Sequence, residues 1–199
     1  QRLAALGLLL VVVQIALGGW VSANYAALCC TDVPLCQGQW WPDADFANGF
    51  HLTQHIGPNY LGGKLDSEAR TAIHLTHRVG AMLVAVSLLS LAWQLKKVGL
   101  KGMAMVLAAA VAAQIGLGIS NVLFHLPLVT AVAHNAGGAA LMLSVVVINY
   151  RVRRVGYRIS SGTGFSREEA GTFTASLSTR LPSSRLKPVP QGLHHDHTL

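Results

Sequence analysis

Four long, uninterrupted apolar stretches constrain the fold of this chain more than any other feature of its sequence. They are the segments 3–23, 72–95, 103–124 and 129–150. A helix needs about 20 apolar residues to cross the hydrocarbon core of a bilayer, and each segment is long enough. Only 12% of the 199 residues are charged, and the mean hydropathy is +0.45. The sequence therefore predicts an all-α, polytopic membrane protein with a four-helix transmembrane bundle.

The charged residues beside these segments predict the orientation and the domain organisation. Basic residues flank the second, third and fourth segments on one side: Lys96, Lys97, Lys101, Arg151, Arg153 and Arg154. The positive-inside rule places these ends in the cytoplasm and the loop 24–70 outside. Residues 1–155 form the membrane domain, and 156–199, rich in Ser, Thr, Arg and Pro, are predicted to be a disordered cytoplasmic tail. The net charge of +7 fits this arrangement and requires no nucleic-acid partner.

The four segments form two repeated helix pairs. In the first pair Gln14 is matched with His77, and in the second pair Gln114 is matched with His134, each glutamine lying in a Q-I-x-L-G run. A repeated two-helix unit places the two histidines opposite each other in a pseudo-symmetric bundle. Counted from the predicted helix starts, they lie at nearly equal depths of roughly 8 to 9 Å at 1.5 Å per residue. The two glutamines are predicted to make interhelical hydrogen bonds.

His77 and His134 are predicted to be the axial ligands of one haem. An ionisable side chain inside a membrane is costly without a partner, and imidazole is a common axial ligand of haem iron. The small residues that follow each histidine leave room for a flat macrocycle, although they suit tight helix packing equally well. His74, one turn before His77, is the alternative ligand. Arg78 is placed either to meet a haem propionate or to reach the membrane interface as a snorkelling cation.

Three cysteines, Cys29, Cys30 and Cys36, follow the first apolar segment. On the oxidising side of a bacterial membrane two of them would form a disulfide. Either Cys29 or Cys30 is the partner of Cys36, and Cys30 is preferred. The pair either exchanges with an external thiol carrier or holds the loop together, and a spacing wider than CxxC favours the second role.

Three runs of the sequence resemble one known family: QIALGGWVSANYAALCCTDVPLCQGQWWP, DFANGFHLTQHIGPNYLGG and RTAIHLTHRVGA. They are similar to the carboxy-terminal half of haem A synthase of the proteobacterial and mitochondrial type, over roughly Arg2 to Arg154. Members have two four-helix halves and oxidise the C8 methyl of haem O to a formyl group for cytochrome oxidase. The resemblance implies haem b bound by His77 and His134 and a disulfide between Cys30 and Cys36. It also implies a bacterial inner membrane protein with its long loop on the periplasmic side.

One departure from the family pattern limits what the resemblance implies. The amino-terminal half of the family carries an ExxHR motif at the substrate haem, and His74 stands here at the position of that glutamate. We therefore expect a fragment that holds the electron-supplying or structural haem and is inactive alone, with no catalytic residue assigned. The implied partners are haem O, haem O synthase, cytochrome oxidase assembly factors, membrane lipid and a second copy of the chain. The alternatives are a non-catalytic membrane cytochrome b and, less favoured, a quinone-linked thiol oxidase.

Overall fold

The structure, a computed structural model, describes residues 1–51 and 65–178, with side chains as far as Arg154. Its helices are α1 (Arg2–Ala23), α2 (Phe46–Gly49), α3 (Ser67–Lys97), α4 (Lys101–Leu123) and α5 (Leu128–Ser178), and a short 3-10 turn spans Ala26–Leu28. Within these ranges the only β-type pairing is an isolated bridge between Cys36 and Gln39. The predicted all-α class is confirmed.

Four of the helices are long and apolar enough to cross a membrane: α1, α3, α4 and α5 as far as Arg154. The predicted polytopic membrane protein is therefore confirmed. The largest difference from the predicted spans is at α3, which begins at Ser67 instead of residue 72. Its first turn contains Glu68 and Arg70, because hydropathy marks where a helix leaves the bilayer and not where its hydrogen bonds begin. His77 consequently lies further along its helix than the sequence predicted.

The backbone of α5 continues as helix to Ser178, whereas the composition predicted a disordered segment from residue 156. A helix that is already formed gains one hydrogen bond for each residue added, and the first proline beyond the membrane span is Pro182. The sequence therefore has no proline to end the helix before Ser178. Residues 179–199, the rest of the predicted tail, lie outside the described residues. The chain divides into two compact units, residues 1–155 and 156–199, and the features below belong to the first.

The four long helices enclose one apolar core. Helix α3 packs against both α1 and α4. Helix α5 is hydrogen-bonded to α4 through Gln114 and to α1 through Asn149, whose Nδ2 donates to the carbonyl of Ala4 at 2.8 Å. All four helices contribute buried side chains: Ala4, Val11, Val84, Leu88, Leu91, Ala92, Leu95, Ala104, Leu107, Val111, Leu141, Val145 and Ile148. The architecture is therefore a four-helix bundle.

The duplication predicted from the sequence is visible in the burial pattern of α1 and α4. Residues 1–20 and 101–120 show the same order of buried, half-buried and exposed positions. Ala4 and Val11 are buried in α1, as Ala104 and Val111 are in α4. The two helices therefore present equivalent faces to the bundle, and side chains at matching positions can be compared directly.

The segment after α1 is held against α3. Trp20 at the end of α1 donates its indole N–H to the carbonyl of Gly49, at 2.9 Å. Gly49 approaches α3 so closely that a Cβ there would lie 2.7 Å from the carbonyl oxygen of Ala69. Asp45 caps the short helix α2 by accepting from the backbone N–H of Asn48 at 3.0 Å. These contacts fix the described part of the loop near the start of α3.

Candidate functional site

His77 is held in the first helix pair by a glutamine and a glycine of α1. Gln14 Nε2 donates to the carbonyl oxygen of His77 at 2.9 Å and lies over its imidazole, 3.0 Å from Nδ1 and 3.4 Å from Nε2. One turn further along α1 lies Gly18, where a Cβ would be 3.3 Å from His77 Cε1. The imidazole therefore lies directly against the backbone of α1, because Gly18 has no side chain to keep it away.

His134 has the same surroundings in the second pair. Gln114 Nε2 donates to the carbonyl oxygen of His134 at 2.8 Å. A Cβ at Gly118 would be 3.2 Å from His134 Cε1. The interhelical hydrogen bonds predicted for Gln14 and Gln114 are confirmed. Each histidine is therefore held by one glutamine and one glycine of the preceding long helix, an arrangement called here a Gln–Gly frame. These contacts show that the two positions are equivalent without any count of residues from the helix starts.

The glycine three residues after each histidine accommodates the glutamine. A Cβ at Gly80 would collide with Gln14 Oε1, and a Cβ at Gly137 would collide with Gln114 Oε1. Each pair therefore has a reciprocal contact, in which glutamine packs on a glycine of one helix and histidine packs on a glycine of the other. The sequence left two roles open for these glycines, room for a macrocycle or tight helix packing. The contacts seen here are with the packed glutamine.

The histidine pair is chemically suited to a haem. His77 on α3 and His134 on α5 lie in one bundle, each with its ring against a glycine of the preceding long helix. Among the described residues, His134 Nδ1 and Gln14 Oε1 are buried without a hydrogen-bond partner. The described part of the chain contains no cluster of three or more His, Cys, Asp or Glu side chains for a bare metal ion. A haem iron, which is held by its macrocycle and needs only two axial ligands, fits this donor set better.

Arg78, the residue after His77, holds the outer loop. Its guanidinium donates to the carbonyl oxygens of Leu35 at 2.8 Å, Asp32 at 2.9 Å and Cys30 at 3.1 Å. Neither alternative drawn from the sequence included this role. A guanidinium has five N–H groups, so these three bonds leave others for a second partner. The predicted contact with a haem propionate remains a prediction.

The loop carries a disulfide between Cys30 and Cys36, whose Cα atoms are 4.6 Å apart. Cys29 keeps its thiol, and burial raises the pKa of that thiol. The alternative pairing of Cys29 with Cys36 is therefore not the one seen in the structure. Both bonded cysteines are buried against Leu75 of α3. The disulfide ring is thus packed on the same helix that carries His77.

Two further side chains on the outer part of α3 also contact the loop. His74, which the sequence offered as an alternative ligand, donates its Nδ1–H to the carbonyl of Ala26 at 3.0 Å. Thr71 Oγ1 accepts from Gln37 Nε2 at 3.0 Å. Positions 71, 74 and 78 lie on one face of a helix, spaced by three and four residues. That spacing of polar residues was the signal in the sequence that would have revealed the loop-binding face.

Asp32, which lies inside the disulfide ring, organises the turn that directly follows the ring. Its carboxylate accepts from the backbone N–H groups of Gln37 and Gly38, both at 2.8 Å. Gly38 has a φ of 75°, a left-handed conformation that glycine adopts without steric cost. The hydrogen bond from Gly38 is the main cause that lowers the pKa of Asp32, and that from Gln37 adds to it. An ionised Asp32 therefore stabilises the turn that follows the ring.

The fold and the site define a class: a polytopic helical membrane protein in which two equivalent helix pairs each hold one histidine in a Gln–Gly frame. The sequence profile of the family described as "Cytochrome oxidase assembly protein" matches residues 1–146. The chain belongs to this family, which includes the haem A synthases.

Two relatives show how much of a family member this chain represents. The Heme A synthase of Shewanella oneidensis is 46% identical over 149 residues, which cover 74% of this chain and 45% of the relative. The Heme A synthase of Maricaulis maris is 34% identical over 148 residues, which cover 73% and 40%. The chain thus spans less than half the length of these relatives. No solved structure matches it.

Proposed function

We propose that this chain is the carboxy-terminal four-helix half of a haem A synthase and that it binds one haem b through His77 and His134. The observation that carries the proposal is the placement of both histidines in equivalent Gln–Gly frames on two helix pairs. Two imidazoles from different helices are the ligand set of a six-coordinate haem. The similarity to haem A synthases over less than half of their length supports the assignment to one half.

A haem b with two histidine ligands supplies a one-electron redox centre that has no open position at the iron. The side chains of this chain bind and orient it. His77 and His134 would hold the haem iron, and Gly18 and Gly118 allow the imidazoles to lie against α1 and α4. We also assign to Arg78 a propionate contact, made with the N–H groups that its three loop hydrogen bonds leave unused.

For the whole protein we propose the family activity, oxidation of the C8 methyl of haem O to a formyl group for cytochrome oxidase. The substrate haem O would bind in the other four-helix half, so this chain alone is expected to be inactive. Haem O synthase and cytochrome oxidase assembly factors are the proposed partners, and a second copy of the chain is a further one. We place the protein in a bacterial inner membrane with the loop 24–70 on the periplasmic side. The disulfide supports this orientation, because that compartment is oxidising.

Reduced-minus-oxidised absorption spectra of the detergent-purified chain test the haem proposal. We expect a b-type band in the wild type and its loss in both His77→Ala and His134→Ala, because each variant removes one axial ligand. The matched control is His125→Ala, which removes a histidine from the turn before α5. A full b-type band in either ligand variant would overturn the assignment of that histidine.

The synthase activity needs a separate test in the full-length gene product. Haems extracted from cells that express the wild type should include haem A, and cells that express His77→Ala should accumulate haem O. A wild type that yields only haem O would refute the synthase proposal. If that wild type still shows the b-type band, the alternative of a membrane cytochrome b that only carries electrons would be favoured.

A further inference from the structure

The spans of α3 and α5 carry the same short motif at the inner end of the bundle, the end away from the outer loop. In both, an aromatic residue is followed at the third and fourth positions by two cations: Trp93 by Lys96 and Lys97, and Tyr150 by Arg153 and Arg154. The two motifs are 57 residues apart, which is also the spacing between His77 and His134. The repeated helix pairs therefore share a second feature besides the histidine and its frame.

In both motifs the second cation lies over the face of the aromatic ring. Lys97 Nζ is 3.5 Å from the centroid of the Trp93 ring, and Arg154 Cζ is 4.6 Å from the centroid of the Tyr150 ring. All the side chains of the two motifs are exposed. Positions three and four residues after the ring share its face of the helix, so the two cations of a motif are neighbours. A cation held over a ring still has N–H groups to donate, and each motif therefore presents two adjacent cations to the outside.

The cations at the inner end have no carboxylate near them in the membrane domain. Within residues 1–155 this end carries seven basic residues: Arg2, Lys96, Lys97, Lys101, Arg151, Arg153 and Arg154. The five acidic residues of the same unit all lie between Asp32 and Glu68, and Glu68 is roughly 43 Å along α3 from Lys97 at 1.5 Å per residue. Residues 156–199, with five basic and three acidic residues, supply no excess of negative charge. A negative partner from outside the chain is therefore needed to balance the inner end.

An exposed apolar stripe leads along each helix to the motif. Four and seven residues before the aromatic ring lie Leu89 and Val86 in α3, and Val146 and Leu143 in α5. These four side chains are 43 to 67% exposed. Their spacing places them on the same helix face as the ring. An acyl chain can lie along such a stripe while its phosphate reaches the cations, whereas a free phosphate ion would contact the cations alone.

The depth of the motifs also fits a phospholipid. Each aromatic residue is 16 residues beyond the histidine of its helix, or about 24 Å along the axis. A hydrocarbon core is about 30 Å thick, so the ring and the histidine lie near opposite faces of the bilayer. Trp and Tyr are enriched at the membrane interface, and cations there attract anionic lipids. The cations of each motif therefore lie at the level of the lipid phosphates.

We propose that each motif binds the headgroup of one anionic phospholipid, so that the membrane domain has two equivalent lipid sites at its inner end. The two cations contact the phosphate, the aromatic ring holds the second cation in place, and the apolar stripe contacts an acyl chain. Both cations of the α5 motif are arginines, whose guanidinium groups bind phosphate in a bidentate manner. The α5 site is therefore expected to bind lipid more tightly than the α3 site. The inference does not depend on haem binding.

Native mass spectrometry of the detergent-purified chain tests the proposal, with phosphatidylglycerol and phosphatidylcholine of the same acyl chains as the two probes. The wild type should bind two molecules of phosphatidylglycerol, each preferred over phosphatidylcholine by roughly 30-fold, because each of two cations contributes about fivefold. Lys96→Gln combined with Lys97→Gln should leave one site, and so should Arg153→Gln combined with Arg154→Gln. A wild type without preference for phosphatidylglycerol would overturn the proposal.

The matched control combines Lys101→Gln with Arg151→Gln. It also removes two exposed cations from the inner end, but neither belongs to a motif, and Arg151 Nη1 lies 4.0 Å from Met103 Sδ of α4. Both lipid sites should persist in this control. If the control loses as much lipid as the motif variants do, the attraction depends only on net charge and the proposal is refuted.

Two further variants keep every charge and test the aromatic rings. Trp93→Leu and Tyr150→Leu should each weaken one site by about two- to fivefold, the size of an exposed cation–π contact. Unchanged lipid affinity in both variants would contradict the proposal. If a glutamine variant does not fold, Lys96→Arg combined with Lys97→Arg gives the same information, since it should bind phosphatidylglycerol more tightly than the wild type, and weaker binding would count against the α3 site.

A competition experiment distinguishes the lipid from a free phosphate compound. Glycerol 3-phosphate in excess should not displace phosphatidylglycerol from the wild type, because it has no acyl chain to contact the apolar stripes. Displacement would show that the motifs are sites for a soluble phosphate and would overturn the assignment to a lipid.

Discussion

The two helix pairs agree in their interior and differ at their outer ends. Both hold a histidine between a glutamine and a glycine, and both α1 and α4 are followed by a residue with a positive φ, 52° at Tyr25 and 57° at His125. At the outer end, however, the residues that bind the loop in the first pair are not repeated in the second. Ala131 stands at the position of His74, and Asn135 stands at the position of Arg78.

The length of the connection explains where the pairs differ. A long loop joins α1 to α3, and the carbonyl groups of its disulfide ring need hydrogen-bond donors, which Arg78 supplies. Only the short turn 124–127 joins α4 to α5, and Asn135 beside it is exposed. The duplicated interior therefore follows the shared site, while the outer surface of each pair follows its own connection.

The largest predicted effect tests whether the interiors are equivalent. Gly80→Val and Gly137→Val should each destabilise the bundle by about 3 kcal/mol, the upper end for overpacking, because the new side chain would displace Gln14 or Gln114. Thermal unfolding in detergent measures the effect. Gly116→Ala is the control, since a Cβ there meets nothing within 4 Å, and it should be neutral or slightly stabilising. Clearly unequal losses in the two valine variants would break the equivalence of the pairs.

An intermediate effect is expected where the pairs differ. Arg78→Ala should destabilise the outer loop by about 1–2 kcal/mol, because three carbonyl groups lose a charged donor but can turn towards water. The rate at which an external phosphine reduces the Cys30–Cys36 disulfide should rise accordingly. Asn135→Ala is the matched control on α5 and should leave that rate unchanged. An unchanged rate in Arg78→Ala would show that the loop does not depend on this arginine.

The smallest predicted effect concerns the turn that follows the disulfide ring, a feature that the second pair lacks. The pKa of Asp32 is lowered from its ordinary value of 3.8 by the hydrogen bond from Gly38, so its stabilising effect is complete above that pH and is lost as the pH falls through the lowered pKa. The amide NMR signals of Gln37 and Gly38 should therefore titrate below pH 3.8 in the wild type. In Asp32→Asn this titration should disappear, and a titration that persists would assign it to another group.

The sequence predicted the membrane-spanning helices well because hydropathy reports directly on the bilayer. It did not predict where α3 begins, since the polar turn at Ser67 and Glu68 lies beyond the apolar stretch that defines a span. The repeat also matched Gln14 with Gln114 and His77 with His134, because a duplicated interior retains its residue types. These features depend on local composition or on internal symmetry, and a single sequence contains both.

The contacts of the outer loop could not be predicted from the sequence. The role of Arg78 depends on where the carbonyl groups of Cys30, Asp32 and Leu35 point, and backbone direction in an irregular loop has no periodic signal.

The hydrogen bond from Asn149 to the carbonyl of Ala4 joins the last span to the first. The pair α1–α3 therefore contacts the pair α4–α5 at two places, where α3 packs on α4 and where α5 is bonded to α1. The subunits of a two-fold dimer contact each other in the same way. The short connection 98–100 then serves as a tether that raises the effective concentration of one pair around the other. Two polypeptides divided at that connection retain every contact that closes the bundle.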